Sequence, residues 1–239
     1  MKKLIVITGA SSGIGKELAI KFANEGFPLL LLARRVKLIE ELNLKNAICK
    51  SVDVRNYEDF KNAINEAQNI YGKVDCLINN AGIMPLDKIF NLSLDTQYDM
   101  VDINIKGVLN GMNVVINDMK DANAGTIINV SSVAGRWTSE NRVVYNGTKF
   151  GVHAISESAR KELAPYNVRI LTIAPALVDT DLISTTTNEE VLNNYHNFKK
   201  NLKGGLSAKQ VAEVIYYAYS LPQNVSLKEI VLSDTKQVV

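Results

Sequence analysis

The feature that most constrains this chain lies in its first fifteen residues. The apolar run Leu4-Ile5-Val6-Ile7 passes straight into Thr8-Gly9-Ala10-Ser11-Ser12-Gly13-Ile14-Gly15, and helical spacing of apolar residues begins inside that glycine-rich stretch. A strand that turns through glycines into a helix start gathers free backbone N–H groups and the positive end of a helix dipole at one point. The missing side chains let a pyrophosphate approach the backbone. The spacing over Gly9, Gly13 and Gly15 is Gly-x-x-x-Gly-x-Gly. It is not a P-loop, because the required first glycine would fall at Ala10 and Lys16 is followed by Glu17 instead of Ser or Thr. A connection packed for its own sake would use the same small residues, so the turn alone does not decide between packing and phosphate binding.

Short apolar runs alternate with amphipathic stretches along most of the 239 residues. Strands are predicted at 3–8, 28–33, 47–53, 74–79, 126–131, 168–174 and 229–232, and helices at 14–24, 36–42, 57–71, 96–119, 145–164 and 208–220. Most of the strands are apolar throughout, as strands are when helices cover both faces. The pattern predicts an α/β, doubly wound, seven-stranded parallel sheet. No shift in composition divides the chain, so a single domain over 1–239 is expected. The polar, Asn/Thr/Lys-rich stretch 178–205 has weak periodicity and is predicted as an insertion that covers the substrate, with an ordinary surface loop as the plainer alternative.

Lysine and arginine total 27 against 25 aspartates and glutamates, a net charge of +2 and too even for a nucleic-acid-binding surface. Any anion must therefore meet a local site. Residues 27–33 form too short an apolar run to span a bilayer, and 4–7 too short a run for a targeting segment. Cys49 and Cys76 lie in apolar stretches and fit free thiols in a reducing compartment, so a cytoplasmic protein is expected. His153 and His196 have no partner at metal-ligand spacing, and no metal is predicted.

Nineteen residues after Gly15 the second predicted strand ends in Ala33-Arg34-Arg35, where a protein choosing NAD would carry an acid for the ribose 2′-hydroxyl. Arginines there suit a 2′-phosphate, with Ser12 a further donor, so the cofactor expected is NADP. For Arg35 taken alone, a solvated charge at a helix start is an equal reading.

Tyr145 and Lys149 stand four apart on one predicted helix and project from one face. Ser132 precedes Tyr145 by thirteen residues, at the carboxyl end of a predicted strand, where open α/β sheets bind ligands. Hydride transfer between an alcohol and a nicotinamide needs a proton acceptor at the alcohol oxygen, and a free tyrosine with a pKa near ~10 is a poor one. The Lys149 ammonium, with the oxidised nicotinamide, is expected to lower that pKa. Ser132 would hold the substrate oxygen.

Together Thr8 to Gly15, Asp53-Val54, Asn79-Asn80-Ala81-Gly82, Asn104, Asn129-Val130-Ser131-Ser132, Tyr145-Asn146-Gly147-Thr148-Lys149 and the segment from Pro175 to Thr180 resemble the short-chain dehydrogenase/reductase family over essentially the whole chain. The resemblance implies a Rossmann fold with a catalytic tetrad of Asn104, Ser132, Tyr145 and Lys149, in which Asn104 holds a water in a proton relay through Lys149. It implies that Gly9, Ser11, Ser12, Gly13, Ile14 and Gly15 cradle the pyrophosphate, and that Arg34 and Arg35 meet the 2′-phosphate. Asp53 and Val54 would contact the adenine, and Asn80, Ala81 and Gly82 the adenosine ribose and central strand. Tyr145 and Lys149 would hold the nicotinamide ribose, and Val178 and Thr180, following Pro175, its carboxamide. One departure is Ala176, where the family usually has glycine; a positive φ there would strain alanine.

Ala33-Arg34-Arg35, the segment from Ser132 to Trp137, and Leu221-Pro222-Gln223-Asn224-Val225 further resemble the NADP-dependent serine and 3-hydroxy acid dehydrogenase branch. That branch implies a small alcohol or carbonyl substrate, such as serine or allo-threonine. Arg136, Arg142 or Lys203 would be available for its carboxylate, and Met84 and Trp137 for an apolar pocket. The resemblance also implies a homo-oligomer, dimer or tetramer, built on the helices 96–119 and 145–164. An NADP-sensing regulator on the same fold is the alternative function, but a sensor has no need of Tyr145, Lys149 and Ser132 together.

Overall fold

Along β1 (Leu4–Thr8) the side chains part by alternation: Leu4 and Val6 enter one apolar cluster, Ile5 and Ile7 another. The two-residue period of a strand sends neighbours to opposite faces of the sheet, which explains why a run apolar throughout is needed here. β2 (Leu29–Ala33) divides likewise, Leu30 and Leu32 against Leu29 and Leu31. The remaining strands are β3 (Ala47–Ser51), β4 (Val74–Asn79), β5 (Gly125–Val130), β6 (Val168–Pro175), the short β7 (Val178–Asp179) and β8 (Leu206–Ser207), and β9 (Glu229–Leu232). The structure, a computed structural model, describes residues 2–238.

Seven strands form one parallel sheet in the order β3-β2-β1-β4-β5-β6-β9. The chain moves outward from β1 to β3, then returns past β1 to begin β4. At that reversal the connections leave to opposite sides and open a crevice at the carboxyl ends of β1 and β4. Helices α1 (Gly13–Asn24), α2 (Lys37–Glu40), α3 (Tyr57–Tyr71), α4 (Leu94–Val101), α5 (Gly107–Asp121), α6 (Val143–Leu163), α7 (Glu189–Asn201) and α8 (Ala208–Ser220) surround it. Phe60, Ile64, Val108, Met112 and Val152 from α3, α5 and α6 cover one face, and Leu18, Phe22, Val211 and Ile215 from α1 and α8 the other. Each such side chain contributes about 1.5–3 kcal/mol of transfer free energy. The doubly wound seven-stranded fold read from the sequence is therefore present, with most strand ends displaced by at most a residue or two. Among the described residues no helix is long and apolar enough to cross a membrane.

Two elements differ from expectation. The predicted helix 96–119 starts earlier, at α4, where Ser93 caps it by accepting from the Thr96 backbone, and a π-helical turn, Asp102–Lys106, separates α4 from α5. The stretch 178–205 is more regular than its composition indicates. β7 pairs in parallel with β8, and α7 lies between them. Asn188 caps α7 by accepting from Val191, Glu189 and Glu190 occupy its first turn, and Lys199 and Lys200 its last, all favourable to the helix dipole. Its inward stripe is narrow, Val191, Leu192 and Tyr195, with Leu202 just beyond; asparagines and charges fill the other faces, so the periodicity is diluted.

Candidate active site

The glycine turn is crowded by backbone, which is why it tolerates no side chain. Gly9 and Gly13 have φ of +67° and +53°. A Cβ on Gly9 would lie 2.9 Å from the Ala81 Cα, and one on Gly15 would lie 2.2 Å from the Gly9 carbonyl oxygen. The Asn80 amide donates to the Thr8 and Gly9 carbonyls at 3.0 and 3.3 Å, while Thr8 Oγ1 accepts from the Asn80 and Ala81 backbones at 2.9 and 3.0 Å. These bonds join the turns after β1 and β4 into one rigid floor. Thr8 is a site residue outside those named from the sequence, and its one signal there is its position at the strand end, before Gly9.

A cleft of about 450 Å³ runs along this floor. One end carries Arg34, Arg35, Asp53 and Val54, the middle Gly9, Ser11, Ser12, Gly13, Ile14, Asn80, Ala81 and Gly82, and the other end Ser132, Tyr145, Lys149, Pro175, Val178 and Thr180. Gly15 and Asn104 stand behind its wall and do not line it. Ser12 precedes α1 without capping it, and its hydroxyl accepts instead from Arg35 at 3.2 Å. Asp53 is held by Arg55, whose Nε and terminal nitrogen reach both carboxylate oxygens at 2.7–3.0 Å and whose other nitrogen meets Asp99 at 2.7 Å. That pairing keeps the Asp53 carboxyl below its ordinary range. Bare glycine backbone beside a pair of arginines fits a pyrophosphate flanked by a further phosphate.

At the other end, Ser132 caps a short turn, its hydroxyl accepting from Ala134 at 3.1 Å and donating to the Pro175 carbonyl at 3.4 Å, and it lines the cleft together with Tyr145. Lys149, one turn beyond Tyr145 on α6, places Nζ 3.0 Å from the Val130 carbonyl and 5.6 Å from the centre of the Tyr145 ring. Both side chains are buried. Burial pushes the Tyr145 phenol up to about 12, with the Ser132 hydroxyl and the Arg142 charge pulling in the opposite direction, and burial lowers the Lys149 ammonium to about 8. In the protein alone the tyrosine pKa is thus raised by desolvation, opposite to the lowering expected with Lys149 and the oxidised nicotinamide together. Asn104, on the π-helical turn, clasps the backbone of Ile83, accepting from its N–H at 2.9 Å and donating to its carbonyl at 3.0 Å. A Cβ on Gly82 would sit 3.1 Å from Asn104 Oδ1 and 3.9 Å from Lys149 Nζ, so those two groups converge on Gly82.

Three sequence candidates fall elsewhere. Trp137 is 47% exposed and lies over a separate depression with Phe150 and His153, because the short helical turn after Ser132 carries it away from the cleft. Arg136 points the same way and pairs with Glu229. Lys203 is exposed, in a left-handed conformation beyond α7, and does not line the cleft. Ala176 avoids positive φ and donates to the Leu232 carbonyl at 2.8 Å, so alanine is accommodated there without strain.

The segment 178–205 supplies one wall. Val178, Leu182, Tyr195 and Phe198 line the cleft, and Tyr195 shares a third apolar cluster with Met84, Leu177 and Tyr145. Its anchors are Thr186, which accepts from Leu86 at 3.0 Å and donates to the Met84 carbonyl at 3.3 Å, and the ion pair of Lys199 with Asp179.

A phosphate-shaped turn at a sheet reversal, continuous with a half-buried serine and a buried tyrosine, defines a dinucleotide-dependent oxidoreductase. The sequence pattern of the short chain dehydrogenase family matches residues 3–191, and the chain belongs to that family: it is an NAD(P)-dependent oxidoreductase acting on CH–OH groups. An uncharacterized oxidoreductase of Listeria monocytogenes is 39% identical, covering 98% of this chain and 97% of its own, and one of Staphylococcus saprophyticus is 34% identical over the same shares. Among solved structures, a closed form of serine dehydrogenase complexed with NADP+ is similar with a TM-score of 0.89 and 26% identity, covering 99% of this chain and 96% of that one. A 3-ketoacyl-(acyl-carrier-protein) reductase from Brucella melitensis, complexed with NADH, has a TM-score of 0.85 and 26% identity, covering 96% of each.

Proposed function

We propose that this protein reversibly transfers a hydride between NADP(H) and a secondary alcohol or its carbonyl, with a 3-hydroxy acid, of which serine and allo-threonine are examples, as the substrate class. The observation that carries this reading is the single cleft joining the glycine turn and Arg34–Arg35 at one end to Ser132 and Tyr145 at the other. When bound, the nicotinamide gives or takes the hydride. Tyr145 gives a proton to the carbonyl oxygen in reduction and takes one from the alcohol in oxidation, and Ser132 orients that oxygen. Lys149, charged below about pH 8, favours the phenolate form of Tyr145 and holds the adjoining ribose, while Asn104 steadies Ile83 and the floor beneath Lys149. Asp53 and Val54 flank the adenine, and Val178 and Thr180 the carboxamide. The NADP preference is supported by Arg34 and Arg35, with Ser12 oriented by Arg35, and by the NADP+ complex of a structural relative. Apolar residues exposed on α4 to α6, among them Tyr98, Leu109 and Phe150, support a homodimer or tetramer. Two free thiols support a cytoplasmic location.

The test follows NADPH absorbance with ketones and aldehydes, and NADP reduction with 3-hydroxy acids, in wild type and Tyr145→Phe. Turnover that falls by ~10²-fold or more in the variant, with NADPH binding retained, is the expected result. Equal turnover in both proteins would remove Tyr145 from its role.

A further inference from the structure

Of the three basic residues available to a substrate acid, two are accounted for, Arg136 by Glu229 and Lys203 by its place outside the cleft. Arg142 is different. It precedes α6 by one residue, its carbonyl accepts from Asn146 at 2.7 Å, and its side chain lines the cleft beside Tyr145. The partly buried guanidinium has no hydrogen-bond or ion-pair partner among the described residues, and its positive charge acts on both Tyr145 and Tyr195. A guanidinium without a partner favours a bidentate carboxylate, which supplies both the counter-charge and the matching planar geometry.

The acids of the cleft are placed elsewhere. Asp53 belongs to the opposite end and is locked by Arg55, and Asp181 follows Thr180, which packs against Gly13 on the phosphate turn. Asp179, beside the lid, is paired with Lys199. Arg142 and Lys149 are thus the charged side chains beside Tyr145, and both are cations. An ammonium group bound there would face a like charge, and the acid that also acts on Tyr195, Asp179, is already paired with Lys199. The surrounding wall of Met84, Leu177, Leu182 and Phe198 is apolar.

We infer that Arg142 determines specificity by pairing with the substrate carboxylate, and that the substrate is a hydroxy or oxo acid with a hydrocarbon body and no amino group. This inference rests on the oxidoreductase reading above and narrows it: serine and allo-threonine are the poorer members of their class.

The test compares 3-hydroxybutyrate, its methyl ester and serine as substrates with NADP, a panel of neutral ketones with NADPH, and butyrate against butyramide as ligands of the NADPH complex, read by nucleotide fluorescence. In wild type, kcat/KM for 3-hydroxybutyrate exceeds that for the ester and for serine by tenfold or more, and butyrate binds tighter than butyramide. Arg142→Gln loses ten- to hundredfold on the acid, mainly through KM, weakens butyrate equally and leaves NADPH affinity unchanged, while the ester and the neutral ketones, which feel only the lost charge beside Tyr145, change several-fold less and in kcat. Serine turned over better than 3-hydroxybutyrate overturns the inference, as does an Arg142→Gln variant that binds butyrate as wild type does. Neutral ketones turned over without any preference for acids would leave the oxidoreductase reading standing and refute the role of Arg142. Absence of turnover throughout would count against that reading, and the butyrate comparison would still decide Arg142.

Discussion

The hydroxyl of Thr8 accepts the backbone N–H of Asn80 at 2.9 Å and so fastens the turn after β4 to the end of β1. The same oxygen also accepts from Ala81, and Thr8 is buried. Thr8→Val keeps the shape and strands both donors. Unsatisfied buried N–H groups cost about 1–3 kcal/mol each, so a loss of about 2–4 kcal/mol is expected in urea unfolding. NADPH affinity should fall with it, because Asn80 to Gly82 line the cleft. A variant as stable as wild type would show that water replaces the hydroxyl.

Lys149 sets a pH dependence of stability. Its folded-state pKa, about 8, lies below the unfolded value near 10.5, so between these limits the unfolded chain binds more protons than the native one. Stability from this group therefore rises with pH across that window, and burial of the charged form is most costly below pH 8. Without added nucleotide, wild type should gain about 2 kcal/mol relative to Lys149→Met between pH 7 and 9.5. Parallel pH profiles for the two proteins would contradict a desolvated lysine.

Arg34 and Arg35 are exposed, and their one side-chain tie to the glycine turn is the Arg35 bond to the Ser12 hydroxyl. The double substitution Arg34→Ala and Arg35→Ala should weaken NADPH by ten- to hundredfold, while NADH affinity changes less than threefold. Fluorescence titration with both nucleotides measures this directly. Equal losses for the two would place the preference at another residue.

Thr186 ties the segment 178–205 to the loop at Met84 and Leu86. Thr186→Val is expected to raise the substrate KM several-fold and to leave the NADPH Kd within twofold. The opposite pattern would mean that this segment serves the nucleotide more than the substrate.

What was readable in the sequence was local. β1 and its glycine turn are contiguous in the chain, and Tyr145 and Lys149 share one helix, so their relation follows from the geometry of that helix. Strand positions were readable because buried parallel strands are apolar on both faces. What was not readable depends on contacts between distant segments. Arg55 reaching Asp99, and Thr8 serving Asn80, pair groups whose proximity only the folded sheet creates. The direction of Trp137 was decided by one short turn after Ser132. For α7 the caps and end charges were present in the sequence, but its inward stripe is too narrow to dominate the pattern.

The crowding at Gly9 and Gly15 has an evolutionary meaning. Backbone presses on backbone there, so the turn is closed to substitution whichever nucleotide is used. Arg34 and Arg35 stand at the exposed end of β2, where replacements leave the core untouched. On the proposed reading, the choice of reducing-equivalent pool is written at the periphery and the capacity to bind a dinucleotide in the interior, so a lineage would move between pools through one or two surface changes without refolding its catalytic centre.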